Sequence, residues 1–150
     1  MEKLSSDQID EIAENIGMGM LCFYHVPADE IISLPAETTE INADYSAIYS
    51  AEEIANRKRL DEIERHINEY ISFEKMSSRN AFDAMRAFGL SIDHDTIRDN
   101  LLKSLDRPHP FNSFKKALQS LPKEINKRWT SFKNRKTRKW VEEQLELYQF

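Results

Sequence analysis

Residues 109–147 constrain the fold of this chain more than any other stretch. They hold both tryptophans, repeat aromatic residues at helical spacing and place lysine and arginine between them. Pro110 suits the first position of a helix, and Pro122 starts a second helical segment. The pattern predicts helices with buried apolar faces, and we expect three of the aromatic side chains in the core. These are Phe111, Phe114 and Trp129, and the faces are completed by Leu118, Leu121, Ile125 and Phe132.

The N-terminal residues predict a helix followed by a hairpin. Ser5 and Gln8, three positions apart, form a capping box, which marks a helix start. Gly17 is expected to end this helix with a positive φ. Residues 20–26 and 31–34 are typical of two strands, joined by a turn that begins at a proline. The apolar stripe of the helix consists of Ile9, Ile12, Ala13 and Ile16.

The middle of the chain is less regular. Residues 36–50 follow neither the helical nor the strand period, which indicates a loop or a partly ordered insertion. Residues 51–66 predict a polar helix with a thin apolar stripe, and residues 68–74 a third strand. Two helices follow: one that begins after Ser77 and ends at Gly89, and one that begins near Asp93 or Asp95 and stops at Pro108.

These elements predict an α+β fold. We expect a small antiparallel sheet of about three strands, packed on one face against four to six helices, and an all-helical C-terminal half. The 150 residues suit one ordinary domain, and the three glycines are too few for a hairpin-dense all-β fold. Within the domain 1–150, we expect a helix and hairpin in 1–35, a loop and polar helix as an insertion in 36–66, and the third strand with the helical part in 67–150.

Composition limits the location and chemistry of the protein. The longest apolar runs fall far short of the roughly 20 residues that a membrane span needs. The polar N-terminus is unlike a signal peptide, so we expect a cytoplasmic protein that does not associate with membranes. The single Cys22 excludes an intrachain disulfide and any metal site made of cysteines alone. We expect no cofactor.

Charge is unevenly distributed along the chain. The formal net charge is −5. Residues 1–75 carry 17 acidic and 6 basic side chains, whereas residues 76–150 carry 9 acidic and 15 basic ones. Such an asymmetry indicates either an acidic or nucleic-acid partner for the second half, or two halves that face each other.

A C-terminal basic cluster is the strongest candidate site. Residues 103–139 contain twelve lysines and arginines and two acidic residues. Positive side chains between exposed aromatics suit phosphate neutralisation and base stacking on single strands. If a last helix begins near Asn134, its basic start opposes the helix dipole and favours a binding role; if the helix runs unbroken from Pro122, this argument fails. The candidate contacts are Lys133, Arg135, Lys136, Arg138 and Lys139.

Catalytic and metal motifs are absent from the sequence. The four histidines are scattered, and no zinc-protease motif, nucleophile elbow or phosphate loop is present. Asp93-His94-Asp95 reads as a helix start rather than a metal site, because adjacent residues rarely converge on one ion and aspartate is an ordinary cap. Cys22 lies in an apolar strand, which predicts an inert thiol. His25 could act as a base, but the sequence identifies no partner for it.

Several of these segments together resemble uncharacterised protein family 0158, a set of small bacterial proteins. The resemblance implies a shared fold and no activity, and it leaves residues 36–66 unaccounted for. Family members often carry a glycine in the turn after the first strand, where this chain has Ala28-Asp29-Glu30. The matching segments are Cys22-Phe23-Tyr24; Tyr70-Ile71 leading to Ser78-x-x-Ala81-Phe82-x-x-Met85-x-x-Phe88; Pro110-Phe111-x-x-Phe114-Lys115-x-x-Leu118; and Arg128-Trp129-x-x-Phe132-Lys133.

We therefore expect a non-enzymatic bacterial protein whose role is binding. A protein partner or a second copy demands the least of the sequence, because an edge of the small sheet can pair with another chain. Binding of nucleic acid or another polyanion through the basic, aromatic C-terminal region is the alternative.

Overall fold

The computed structural model describes residues 4–148, apart from the side chains of Ala43 and Ser46. It has the expected α+β fold, with a three-stranded antiparallel sheet and a majority of helical residues. Short 3₁₀ turns occupy Ala36–Glu40, Ala43–Ile48 and Ile67–Glu69. The other elements are α1 (Ser6–Gly17), β1 (Leu21–His25), β2 (Glu30–Leu34), α2 (Ala51–Arg65), β3 (Tyr70–Phe73), α3 (Ser78–Leu90), α4 (Asp95–Ser104), α5 (Pro110–Gln119) and α6 (Lys123–Glu146).

Helix α1 begins as the sequence predicts, but the residue with a positive φ after its last turn is a different glycine. The Ser5 hydroxyl accepts from the Gln8 amide at 3.1 Å, and the Gln8 side chain accepts from the Ser5 amide at 2.8 Å, which confirms the capping box. The last residue of the helix is Gly17, but the expectation that this glycine has a positive φ is wrong. That conformation belongs to Gly19, with a φ of 82°, because its amide bonds back to the Ile16 carbonyl and the amide of Met20 reaches Asn15.

The sheet has the strand order β2-β1-β3 with both pairs antiparallel. Strand β1 is therefore central, and the predicted hairpin joins it to β2. In the turn, Asp29 adopts a φ of 52°, a left-handed conformation that glycine adopts most readily. Its carboxylate accepts from Gln8 at 2.7 Å and from the Tyr24 hydroxyl at 2.5 Å, so local hydrogen bonds hold this conformation without a glycine.

Helices cover both faces of the sheet, so the expectation of a single covered face is wrong. Because side chains alternate along a strand, neighbouring residues of β1 contribute to two different cores. On one face, α1 and the end of α6 pack on Cys22, Tyr24, Ile71 and Phe73. On the other, Leu60 and Ile63 of α2 pack on Phe23, Ile32 and Leu34.

The segment before α2 is ordered into two short 3₁₀ turns. Thr38 is buried there, and its carbonyl accepts from the Arg57 guanidinium of α2 at 3.3 Å. Helix α2 has the predicted extent, and Leu60 and Ile63 form its buried stripe, whereas Ile67 lies beyond the helix and is 46% exposed. The third strand is also confirmed.

Helices α3, α4, α5 and the first part of α6 enclose a separate core. Phe114 is fully buried at its centre, and Phe111 and Trp129 are half-buried against it, so all three expected core aromatics belong to this core. The prediction that Gly89 ends α3 is wrong. It lies inside the helix, where a Cβ atom would come within 3.1 Å of the Leu102 side chain, so α4 packs closely there.

Helix α4 starts one residue after His94, whose Nδ1 caps it by accepting from the Ile97 amide at 3.3 Å. It ends at Ser104 rather than at Pro108, because the amides of Leu105 and Asp106 bond three residues back and close the last turn early.

The chain divides into two compact units. We call residues up to Lys75 together with those from Val141 onwards the acidic unit, and Met76–Trp140 the basic unit. By sequence, the acidic unit has 20 acidic and 6 basic side chains, and the basic unit has 6 acidic and 15 basic ones. That both units fold as one domain stays a prediction. Among residues 4–148, no helix combines the length and the apolar character that crossing a membrane requires.

Candidate anion-binding groove

Helix α6 is one unbroken element that carries the predicted basic cluster in its middle. It starts directly after Pro122 and continues to Glu146, so no helix begins near Asn134. The argument from an unfavourable helix dipole therefore fails, because the dipole acts within the first and last turns. Any case for a site must come from what the basic side chains surround.

The structure divides the five predicted contacts. Arg135 and Lys136 both lie over the ring of Phe132, at 5.9 and 5.5 Å from its centroid. Lys133 is an exposed residue. The pKa of its ammonium group is lowered, first by partial loss of hydration and then by the positive charge of Lys115. Lys139 is exposed, and Arg138 is half-buried. Arg135 lines a cavity.

This cavity is an open groove of about 470 Å³ in the basic unit. One wall is the end of α3, with Phe88 and the following Ser91. The other wall is one face of α6, since its residues follow each other at positions i, i+1, i+4, i+5 and i+8. These residues are Lys127, Arg128, Ser131, Phe132 and Arg135.

The floor of the groove is held by packed aromatic rings. Phe132 lies 5.5 Å from Phe88 between ring centroids, and Phe88 lies 5.3 Å from Trp129. Trp129 in turn meets the buried Phe114 edge-on at 5.1 Å. Because each ring packs against the next, the half-buried Phe132 is fixed in place beneath the basic side chains.

The groove is electrostatically one-sided. Within the described residues, no carboxylate comes within salt-bridge distance of Lys127, Arg128 or Arg135. Elsewhere arginines do pair: Arg57 lies 3.0 Å from Asp61, and Arg59 lies 2.9 Å from Glu30. Three positive charges beside an aromatic ring and two serine hydroxyls can hold phosphate or carboxylate groups.

Sequence reasoning missed most of this groove. It selected Arg135 and left out Lys127, Arg128 and the serines, because it weighted charge density along the chain. The helical spacing of Arg128, Phe132 and Arg135 could have revealed the groove, because it places one arginine on each side of an aromatic residue along one helix face. The sequence gives no signal for Ser91, because it follows α3 and lies near α6 only in the folded protein.

The other candidate groups that the sequence suggested, His25 and Cys22, are held by the residues that pack around them. His25 has a partner that the sequence did not identify: its Nε2 lies 2.9 Å from Glu69, and its ring stacks on Tyr70 at 4.4 Å. Burial raises the pKa of the Cys22 thiol to about 11. In the part of the chain that the structure describes, no group of three or more histidine, cysteine or acidic residues is arranged to hold a metal ion.

A family model matches most of the chain. It is the model of an uncharacterised protein family, UPF0158, and it covers residues 46–150. The chain belongs to this family. The UPF0158 match includes the whole groove and also α2, which the resemblance had left unaccounted for, and it does not reach the strand at Cys22. The searches of curated proteins and of solved structures gave no match to this chain.

Proposed function

We propose that the protein binds a polyanion, a single-stranded nucleic acid, through the groove of the basic unit. The observation that supports this most directly is the cluster of positive side chains beside the fixed aromatic ring of Phe132. The cluster consists of Lys127, Arg128 and Arg135. Positive side chains neutralise phosphates, and an aromatic ring gives a base a surface to stack on. Single strands suit this pairing because their bases are not stacked inside a duplex.

The charge of the basic unit adds support beyond the groove. Its balance of nine positive charges draws a polyanion towards α6 from a distance and speeds encounter at low ionic strength. Lys136, which also lies over Phe132, and Lys139 extend the positive surface along the helix. Binding of this kind is insensitive to sequence, because phosphate contacts carry no base information.

We place polyanion binding, which was the alternative in the sequence interpretation, ahead of binding to a protein partner or a second copy. A protein partner or a second copy needs only a surface, whereas the groove has a chemistry that selects for anions. A binding rather than catalytic role and a location in the bacterial cytoplasm are parts of the same proposal. They are supported by the absence of a catalytic motif in the sequence and by the resemblance to small bacterial proteins.

A charge-matched pair of variants tests the groove. In one, Lys127, Arg128 and Arg135 are changed to Gln; in the control, Arg86, Lys103 and Arg107 are changed to Gln, which removes equal charge from exposed positions of the same unit. Affinity for a fluorescent single-stranded oligonucleotide is measured against salt concentration. We expect the native protein to lose affinity with a log–log slope of about −2, as for three phosphate contacts.

The groove variant should bind at least tenfold more weakly than the control variant and show a flatter salt dependence, because its phosphate contacts are gone. Equal losses in the two variants would show that net charge alone attracts the oligonucleotide. Absence of native binding at low salt, to both RNA and DNA, would overturn the proposal.

The aromatic floor is tested by Phe132→Leu, which keeps an apolar side chain on α6 and removes the ring. If a base stacks there, affinity falls by about tenfold or more, since stacking on one aromatic side chain contributes roughly 1–3 kcal/mol. Thermal unfolding of the same variant measures its loss of packing. Unchanged affinity in a folded variant would exclude stacking and leave the electrostatic part of the proposal.

A further inference from the structure

The outer edge of β3 has its own distinctive arrangement in the acidic unit. Within the described sheet, β3 neighbours only β1. The Val26 amide donates to the Glu69 carbonyl at 2.9 Å, and backbone groups alternate along an antiparallel strand. Ile71 and Phe73 therefore direct their amides and carbonyls towards β1, whereas Ser72 directs both groups away from it.

Side-chain and local bonds occupy the two ends of this edge. At Glu74, the Gln144 side-chain amide accepts from the backbone amide at 2.8 Å and donates to the carbonyl at 3.1 Å. These two bonds are the ones that a residue of a neighbouring antiparallel strand would make with its own carbonyl and amide. At the other end, the Tyr70 amide donates to the Ile67 carbonyl. The outward groups of Ser72 lie between these two closed positions.

A groove of about 400 Å³ runs along this edge. Ser72 lies in its wall, and two large apolar side chains line it while remaining exposed: Ile67 at 46% and Tyr148 at 48%. An extended chain laid beside β3 would cover both side chains while it bonds to Ser72.

The negative charge around β3 indicates which kind of chain can bind along its edge. The edge strand is bracketed by Glu69 and Glu74, both exposed, and the acidic unit carries 20 acidic against 6 basic side chains. A second copy that docked its own β3 here would bring two acidic units together, each with a balance of 14 negative charges (20 acidic against 6 basic), which opposes association. We infer that the β3 edge binds an extended, lysine- or arginine-bearing segment of a different protein by strand addition. This site is independent of the proposed polyanion groove.

The probe is a fluorescein-labelled heptapeptide of alternating valine and threonine with a lysine at each end. Its matched control has the alternate amides that would face β3 N-methylated, which removes hydrogen-bond donors and keeps the charge. Anisotropy is titrated to about 1 mM, the weak end of specific binding. We expect saturable binding of the probe and binding at least about tenfold weaker for the methylated peptide, as for the loss of one or two hydrogen bonds.

On the protein, Ser72→Pro removes the outward amide, and Ser72→Ala keeps it. Proline is tolerated on an edge strand where its nitrogen faces outwards, so circular dichroism and the melting temperature should stay near native values. We expect Ser72→Ala to bind the probe like the native protein and Ser72→Pro to lose about tenfold in affinity.

Equal binding of the methylated and unmethylated peptides would overturn the proposal, since it would show charge attraction alone. No binding at the highest concentration would also overturn it. If Ser72→Pro unfolds, the two peptides against the native protein still decide. Concentration-dependent self-association that the probe displaces would instead identify a second copy as the occupant and contradict the inference.

Discussion

The side-chain amide of Gln144 bonds both backbone groups of Glu74, although 70 residues separate them in the chain. Its Oε1 accepts from the Glu74 amide at 2.8 Å, and its Nε2 donates to the Glu74 carbonyl at 3.1 Å. The end of α6 thereby satisfies the edge of the sheet just where β3 ends. A helix thus does what a fourth strand would do at this position.

Gln144→Ala should lower the free energy of unfolding by about 1–2 kcal/mol, because it leaves two backbone groups without their partner. The better helix propensity of alanine offsets a few tenths of this loss. Urea unfolding measures it, with Gln119→Ala as the control, since Gln119 is an exposed helical glutamine in α5. Equal values for the two variants would mean that water replaces the amide at no cost.

The two glycines at the end of α1 should respond to alanine in opposite ways. Gly17→Ala should stabilise the protein by about 0.5–1 kcal/mol, because the position is helical and nothing lies within 4 Å of the new Cβ. Gly19→Ala should destabilise it by about 1 kcal/mol, because its φ of 82° strains any residue with a side chain. Thermal unfolding of both variants measures the signs, and the reverse order would assign the positive φ to Gly17 instead of Gly19.

Acid should weaken the hairpin turn through Asp29. Hydrogen bonds from Tyr24 and Gln8 lower the pKa of its carboxyl group. A group whose pKa is lowered in the folded state stabilises it fully above the ordinary value of about 3.9, and this contribution is lost as the pH falls below that value. The stability of the native protein should therefore decline below about pH 4.

Asp29→Asn is the matched variant, because asparagine tolerates a φ of 52° and does not titrate. The difference in urea midpoint between native protein and variant should be constant from pH 5 to 7 and shrink towards pH 2. A constant difference over the whole range would show that the two hydrogen bonds do not depend on the charge of Asp29.

Cys22 should be inert in the folded protein. Its side chain is 1% exposed, and burial raises the pKa of its thiol to about 11, so little thiolate forms near neutral pH. Iodoacetamide at pH 8 should label it at least about 100-fold more slowly than an unfolded cysteine. Since the pKa is raised on folding, the contribution of this thiol to stability is full below about 8.5 and is lost as the pH rises towards 11. Labelling at the rate of the urea-unfolded protein would contradict this.

Local signals in the sequence were sufficient where the structure depends on neighbouring residues. The capping box at Ser5 and the proline at the start of α5 mark those helix ends through bonds and sterics within a few positions. The two glycines near the end of α1 could not be ranked in this way. Either can adopt a positive φ, and the choice follows from which amides reach back into the helix.

Contacts between distant residues decided the rest. Gly89 resembles a helix terminator in sequence, but the close approach of Leu102 gives it another role. Both faces of the sheet are buried, although the sequence predicted helices on only one face. The thin apolar stripe of α2 is enough to cover the second face.

The sequence by itself determined the α+β class, the UPF0158 resemblance and the concentration of positive charge on the C-terminal helices. Only the tertiary structure decided which of those charges form a site. Periodicity defines the face of a single helix, because it reports on residues three and four apart. It cannot place Phe88 and Ser91 beside Arg128 and Arg135, since that proximity arises from the packing of α3 against α6 through their aromatic rings.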